Sequence, residues 1–154
     1  MTVPNDPTNL ATRFSYLTAL GFDFGLKRIG VAVGQRLTRS ANPLTILKAE
    51  NGIPNWEKIK ELIETWEVNV LVVGIPYNMD GSEQPITYAA SKFAKKLKLK
   101  PGLPVHTVDE RLTTIEAKRF WLGQKFQKNV KLPRQFDSYA ATLILEQWLQ
   151  QNVD

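Results

Sequence analysis

The stretch LTALGFDFGLKRIGVAVGQR, residues 17–36, decides the fold of this chain. An apolar run ends at Asp23, a short turn follows at 25–27, and a second apolar run fills 28–35. Such runs are typical of buried strands, and so short a link makes the two strands antiparallel neighbours. A carboxylate at the end of a buried strand costs several kcal/mol to desolvate unless it is paired or bound to a metal ion. Asp23 is therefore the first candidate functional residue, with a plain turn residue as the alternative interpretation.

The size and composition of the chain favour one globular domain. It has 154 residues, 43% of them hydrophobic, which is enough for a proper core. We expect residues 1–15 to be a flexible tail and 16–150 to be the single folded domain. No apolar stretch approaches the roughly 20 residues that cross a bilayer, and the N-terminus lacks a secretory signal pattern. Because the chain also has no cysteine, we predict a cytoplasmic protein.

The charge of the chain suits a polyanionic partner, since the formal net charge is +5 and the isoelectric point about 9.5. Four glutamates lie together over 57–67, whereas basic residues gather beside other acidic positions. A solvated surface is the alternative interpretation of such a basic run. We predict that the following residues hold a nucleic-acid backbone: Lys27, Arg28, Arg111, Lys118, Arg119, Lys125, Lys128, Lys131 and Arg134.

Hydrophobic periodicity predicts the elements of the remaining chain. In chain order they are strands at 16–24, 28–35 and 42–48, a helix at 55–67, a strand at 69–75, a helix at 85–99, a strand at 103–108, a helix that begins at Thr113 and a last helix at 135–150, with loops at 51–54, 76–84 and 123–133. A meander followed by alternation of strand and helix predicts an α/β fold: a five-stranded mixed sheet of order 3-2-1-4-5 with helices on both faces. The carboxyl ends of strands one, four and five then meet at one edge.

Acidic residues fall at that edge in three places. Asp23 ends strand one, Asp109 and Glu110 follow strand five, and Asp137 lies in the first turn of the last helix, on its apolar face. Because side chains alternate along a strand, only one of Asp109 and Glu110 faces the site, and the sequence leaves open which one. The alternative for Asp137 is a favourable interaction with the helix dipole. The alternative for the acids at 109–110 is an ion pair with Arg111 at a helix entry.

Carboxylates from three elements are what a divalent-metal site in a nuclease needs. Magnesium takes oxygen ligands, and one or two such ions can activate a water and stabilise the leaving oxygen in phosphodiester cleavage. We therefore predict that Asp23, Asp109 or Glu110, and Asp137 bind Mg²⁺, with Mn²⁺ as the other candidate. His106, the single histidine, lies within a predicted strand and is expected to be structural.

Four segments, in order and at fitting spacings, together resemble the YqgF/RuvX family: FDFGLKRIGVAVGQ (22–35), VVGIPYNMDGSEQP (72–85), VDERLTTIEA (108–117) and DSYAATLILE (137–146). The resemblance implies a ribonuclease-H-like fold and a nuclease, described both as a Holliday-junction resolvase and as a nuclease that matures pre-16S rRNA. It places the family's metal-binding acids at Asp23, at Asp109 or Glu110, and at Asp137. Related resolvases carry a further acid near the fourth strand, where this chain has Gly74, Ile75 and Pro76.

The leading hypothesis is a metal-dependent endonuclease that acts on structured nucleic acid, in 5′-end maturation of pre-16S rRNA during ribosome biogenesis. The alternatives are a Holliday-junction resolvase, for which a homodimer would suit the symmetric junction, and a non-catalytic RNA-binding assembly factor. An actin-like ATPase also uses an acidic turn between two strands, but it needs two such domains. The sequence does not separate RNA from DNA, because both are phosphodiester polyanions.

Overall fold

A mixed sheet with helices on both faces organises the part of the chain that the structure, a computed structural model, describes: residues 17–112 and 135–151. The predicted tail, the predicted helix from Thr113 and the predicted loop 123–133 lie outside these residues. The elements in chain order are β1 (Thr18–Asp23), β2 (Arg28–Gln35), β3 (Ser40–Glu50), β4 (Ile53–Pro54), α1 (Trp56–Trp66), β5 (Val70–Ile75), α2 (Pro85–Leu99), β6 (Val105–Asp109), a 3₁₀ turn (Glu110–Leu112) and α3 (Gln135–Gln151).

The strand order of this sheet is β4-β3-β2-β1-β5-β6. β1 pairs antiparallel with β2 and parallel with β5, and β6 extends the parallel half. The five predicted strands therefore take the predicted order, and β1 lies in the centre. The bounds of β2 and α2 agree with the prediction, while β6 begins two residues later than predicted.

The prediction of five strands was wrong by one short strand. Residues 51–54 were predicted to be a loop, but Ile53–Pro54 pairs antiparallel with the end of β3. The link between them consists of Asn51 and Gly52, which both adopt positive φ, at 52° and 80°. Two such residues make the tight turn of a β-hairpin. A strand of two residues that contains a proline has no alternating pattern, so the sequence gives no sign of it.

One face of the sheet packs against α1 and α2 through aromatic contacts. The ring of Phe93 on α2 lies 5.5 Å from Phe22 and 5.3 Å from Phe24, centroid to centroid. On its other side it stacks against Trp56 at 5.9 Å. Because Phe22 and Phe24 share this face of β1, Asp23 between them points to the opposite face of the sheet.

The opposite face packs against α3, and glycines let the helix come close. A Cβ placed on Gly21 would lie 2.7 Å from Cβ of Leu145 and 3.1 Å from the carbonyl oxygen of Ala141. A Cβ on Gly34 of β2 would lie 2.9 Å from Cδ1 of Leu149. The helix thus rests almost directly on the backbone of the sheet. Within the described residues, no helix has the length and hydropathy to cross a membrane.

We expect Gly21→Ala to destabilise the fold by about 1–3 kcal/mol, because the added methyl overlaps Leu145 and the backbone of α3. Gly102→Asn is the control, since no atom lies within 4 Å of its Cβ position and asparagine tolerates the positive φ of 77° found there. Denaturant unfolding of both variants measures the effect. Equal stabilities would mean that α3 does not lie as close to β1 as described.

Candidate active site

Two buried carboxylates lie at the carboxyl edge of the sheet, on the face that α3 covers. Asp23 ends β1 and is 4% exposed, and Glu110, directly after β6, is 2% exposed. The register pairs Phe22 with Val73, so the next position in β5, Gly74, lies beside Asp23. Gly74 in turn pairs with Val108 of β6, two residues before Glu110. The three strands therefore bring Asp23 and Glu110 to the same end of the sheet.

Gly74 makes the space in which Glu110 lies. A Cβ on Gly74 would lie 2.9 Å from Oε1 of Glu110 and would also collide with the side chain of Ile144 on α3. Any larger residue at this position would displace the glutamate or the helix. The carboxylate of Glu110 thus occupies the surface of β5 next to Asp23.

The side chain of Asp109 points to the face of the sheet opposite Asp23. The structure thus decides which of Asp109 and Glu110 shares a face with Asp23. Asp109 pairs with Ile75 in β5, whose side chain belongs to the core on the α1/α2 face. There Asp109 accepts hydrogen bonds from the guanidinium of Arg111, from Nη2 at 2.6 Å and from Nε at 3.1 Å, and from the Arg111 backbone N–H at 2.9 Å. The hydrogen bonds from Arg111 hold the pKa of the Asp109 carboxyl below its usual value. Glu110, not Asp109, therefore shares a face with Asp23.

Arg111 also touches the loop 76–84 that follows β5. Its guanidinium carbon lies 5.5 Å from the centroid of the Tyr77 ring, and Nη1 lies 3.5 Å from the carbonyl oxygen of Met79. The sequence predicts Arg111 as a phosphate contact. In the structure most of its donors already serve Asp109 and this loop.

The loop 76–84 is closed by its own hydrogen bonds. The backbone and side-chain amides of Asn78 bond to Ser82, and the backbone N–H and hydroxyl of Ser82 bond to Asp80. These bonds from Ser82 lower the pKa of Asp80. At the base of the loop, the buried hydroxyl of Thr87 donates to the carbonyl of Pro76. The predicted loop 76–84 is confirmed.

The third predicted acid lies at the start of α3. The backbone of Asp137 belongs to the first turn of this helix, as predicted, whereas its side chain is outside the described part of the structure. Among the side chains that are described, no three of the acidic, histidine or cysteine type form a group that could hold a metal ion. The described part of the site is thus the pair Asp23 and Glu110.

Apart from Arg111, the predicted basic residues divide into two sets. Lys27 and Arg28 are exposed and lie where the turn after β1 leads into β2. The other set lies outside the described residues: Lys118, Arg119, Lys125, Lys128, Lys131 and Arg134. His106 lies within β6 as predicted, and its ring packs 5.2 Å from that of Trp148 on α3.

The donor chemistry of Asp23 and Glu110 fits a hard divalent cation. Carboxylate oxygens are the ligands that Mg²⁺ and Mn²⁺ prefer. One oxygen of each residue, Oδ1 of Asp23 and Oε2 of Glu110, is fully buried. Burying two carboxylates at one end of a sheet is costly, and a bound cation would offset part of that cost.

Comparison with known proteins shows the family of this chain. The family model described as "RuvX: Holliday junction resolvase" matches residues 17–151. The chain belongs to the RuvX family. A relative from Coxiella burnetii (strain RSA 493 / Nine Mile phase I), named "Putative pre-16S rRNA nuclease", is 69% identical over 135 residues, which cover 88% of this chain and 94% of the relative. A relative of the same name from Legionella pneumophila (strain Lens) is 52% identical over 133 residues, 86% of this chain and 95% of that one.

Solved structures share the fold of this RuvX family member at low sequence identity. Thermus thermophilus RuvC bound to a Holliday junction superposes with a TM-score of 0.50 at 15% identity, over 88% of this chain and 95% of that one. The fowlpox virus resolvase bound to a Holliday junction also gives 0.50, at 12% identity, over 90% and 100%. These similarities confirm the predicted α/β, ribonuclease-H-like fold class.

Sequence reasoning missed two residues that shape the site. Gly74 was noted only as the place where related resolvases carry an acid, and Tyr77 was noted only as part of a loop. The available signal was that both residues lie near the carboxyl end of β5, because α/β sheets bind their ligands at the carboxyl ends of their strands.

The Asp109–Arg111 pair predicts a pH dependence of stability. Because the pKa of Asp109 is lower in the folded chain than in the unfolded one, the pair stabilises the fold above the unfolded pKa. This contribution disappears as the pH falls through the lowered, folded-state pKa. The pair is partly exposed, so the effect is small. We expect Asp109→Asn to be less stable than the native chain at neutral pH and equally stable in acid, measured by denaturant unfolding at each pH. A stability gap that persists unchanged into acid would contradict this assignment.

Proposed function

We propose that this chain is a metal-dependent endonuclease in which Asp23 and Glu110 bind the catalytic cation. The observation that carries the proposal is the burial of these two carboxylates over Gly74, at the edge of the sheet where β1, β5 and β6 end. Membership of a family described as a Holliday junction resolvase agrees with this proposal. Asp109, which is turned to the other face by Arg111, is not part of this ligand pair.

Asp137 is our candidate for the third ligand, and the packing of α3 supports it. Gly34 of β2, which pairs with Ala19 of β1, lies against Leu149 and Leu145 of α3. Two residues further along β1, Gly21 meets Leu145 and Ala141. Each two-residue step along the strand, about 6.6 Å, thus matches a four-residue step back along the helix, about 6 Å. One further step takes Gly21 to Asp23 and Ala141 to Asp137.

The chemistry of the site follows from these roles. When bound, Mg²⁺ or Mn²⁺ supplies charge neutralisation at the scissile phosphate and activation of the attacking water. Asp23 and Glu110 fix the position of the cation because their burial restricts them. We propose that Lys27 and Arg28, which are exposed, hold the phosphate backbone and that the basic residues from Lys118 to Arg134 extend this contact. Binding should therefore weaken as salt increases.

We propose the 5′ end of pre-16S rRNA as the substrate. The support comes from the names of relatives that are 69% and 52% identical and that align over nearly their whole length. This role would place the protein in the cytoplasm. A four-way DNA junction is the second candidate, because the family description names it. A homodimer would suit that symmetric substrate.

We expect Asp23→Asn and Glu110→Gln each to lower Mg²⁺-dependent cleavage at least about 100-fold, since several kcal/mol of charge stabilisation is lost with the cation. The assay uses an end-labelled pre-16S rRNA fragment and, in parallel, a labelled four-way junction. Glu61→Gln is the matched control, because Glu61 is an exposed acid on α1, on the other face of the sheet.

Three results would count against this function. Equal cleavage by the native chain and by Asp23→Asn would mean that a contaminant cuts. Tight, salt-sensitive RNA binding without cleavage in Mg²⁺ or Mn²⁺ would favour the non-catalytic assembly factor. Cleavage of the junction alone would replace rRNA by branched DNA as the substrate.

A further inference from the structure

We propose that Asp109 and Arg111 are positioning residues that form a clasp, which holds the loop 76–84 in one conformation beside the active site. The clasp consists of the Asp109 carboxylate, the Arg111 guanidinium, the Tyr77 ring and the Met79 carbonyl. The inference rests on the proposed function for its effect on substrate, while its structural part stands independently. It assigns a separate role to each acid of the Asp109–Glu110 pair.

The geometry of Arg111 makes it a connector between two elements. Three hydrogen bonds from Nε and Nη2 fix the plane of its guanidinium against Asp109 at the end of β6. The same plane approaches the ring of Tyr77, and Nη1 reaches the carbonyl of Met79 at 3.5 Å. Only a planar, forked cation can serve a carboxylate, a ring and a carbonyl at once, so lysine would not replace it.

The loop is built to depend on this contact at its tip. Its base is fixed by Thr87, and its turn is closed by Asn78, Asp80 and Ser82. Gly81, at a φ of 89°, lies against the clasp, since a Cβ there would be 3.0 Å from Nη1 of Arg111. Met79, by contrast, is 79% exposed. Arg111 is therefore the described contact that ties the tip of the loop to the sheet.

The charge of the loop explains why its position matters for substrate. Asp80 and Glu83 make the loop acidic, and it follows β5 at the edge where Asp23 and Glu110 lie. An acidic loop that is free to move across this edge would repel a phosphate backbone. A loop held in place, with Arg111 near Asp80, cannot move its negative charge across this edge, and it costs no ordering entropy when substrate binds.

The experiment compares Asp109→Asn with Glu110→Gln by titration with Mn²⁺ alone. We expect Asp109→Asn to keep the Mn²⁺ affinity of the native chain within about twofold, and Glu110→Gln to lose at least about tenfold, because only Glu110 is a ligand. Glu83→Gln, which also removes one negative charge near the loop, is the control for charge alone. A loss of Mn²⁺ affinity in Asp109→Asn as large as that in Glu110→Gln would overturn the proposal.

Met79 supplies a spectroscopic readout, since the chain has only two methionines, Met1 and Met79. In methyl-labelled protein we expect the Met79 resonance to shift and sharpen in Asp109→Asn and in Arg111→Lys, and to stay in place in Glu83→Gln. Two clasp variants are used so that a failure of one to fold does not end the test. An unchanged Met79 resonance in both would overturn the proposal.

Steady-state cleavage of the pre-16S rRNA fragment separates positioning from chemistry. We expect Asp109→Asn and Arg111→Lys to raise KM about tenfold with kcat within about twofold, because a mobile loop weakens binding without touching the reacting atoms. A fall in kcat at unchanged KM would overturn the proposal. If the native chain does not cleave, the nuclease function alone fails, and the Met79 resonance still supports or overturns the clasp.

Discussion

The close approach of α3 to the sheet is the constraint on which the rest of this structure depends. Gly21 and Gly34 remove the side chains that would hold the helix away, so Leu145 and Leu149 pack against the strand backbones. Close packing of this kind gains dispersion energy along the whole helix and fixes its path. Because the path is fixed, the first turn of α3 is directed toward the carboxyl end of β1. The position of the proposed active site is thus a consequence of how the helix packs.

The two consecutive acids at the end of β6 lie on opposite faces of the sheet and have different surroundings. Strand alternation sends Asp109 to the α1/α2 face and Glu110 to the α3 face. On the first face Arg111 neutralises the charge at partial exposure, an arrangement that costs little. On the second face Glu110 is buried at the same end of the sheet as Asp23, and the cation that we propose there would offset part of the cost of burying both charges. The fold therefore gives two consecutive acids different surroundings, an ion pair for Asp109 and a buried position for Glu110.

The sequence predicted the elements and the edge of the site, but not the direction of each side chain. The apolar runs before and after the short turn that follows Asp23 were enough to predict β1 and β2 and their antiparallel pairing. The choice between Asp109 and Glu110 depended on the register of β6 against β5, which is a long-range property. The short strand β4 was missed because Ile53 and Pro54 are too few to form a pattern. The role of Gly74 was missed because its significance comes from Glu110, 36 positions later in the chain.

Gly74 also explains how the proposed site can take a buried carboxylate without an acid on β5. The resemblance to resolvases implies a carboxylate near that strand, and this chain has a glycine there. A carboxylate on β5 at this position would occupy the space over the backbone that Oε1 of Glu110 now fills. Glu110 enters the same space from the 3₁₀ turn that follows the next strand, β6. The glycine on β5 and the glutamate after β6 therefore depend on each other, because the carboxylate of Glu110 can lie over β5 only where β5 carries no side chain.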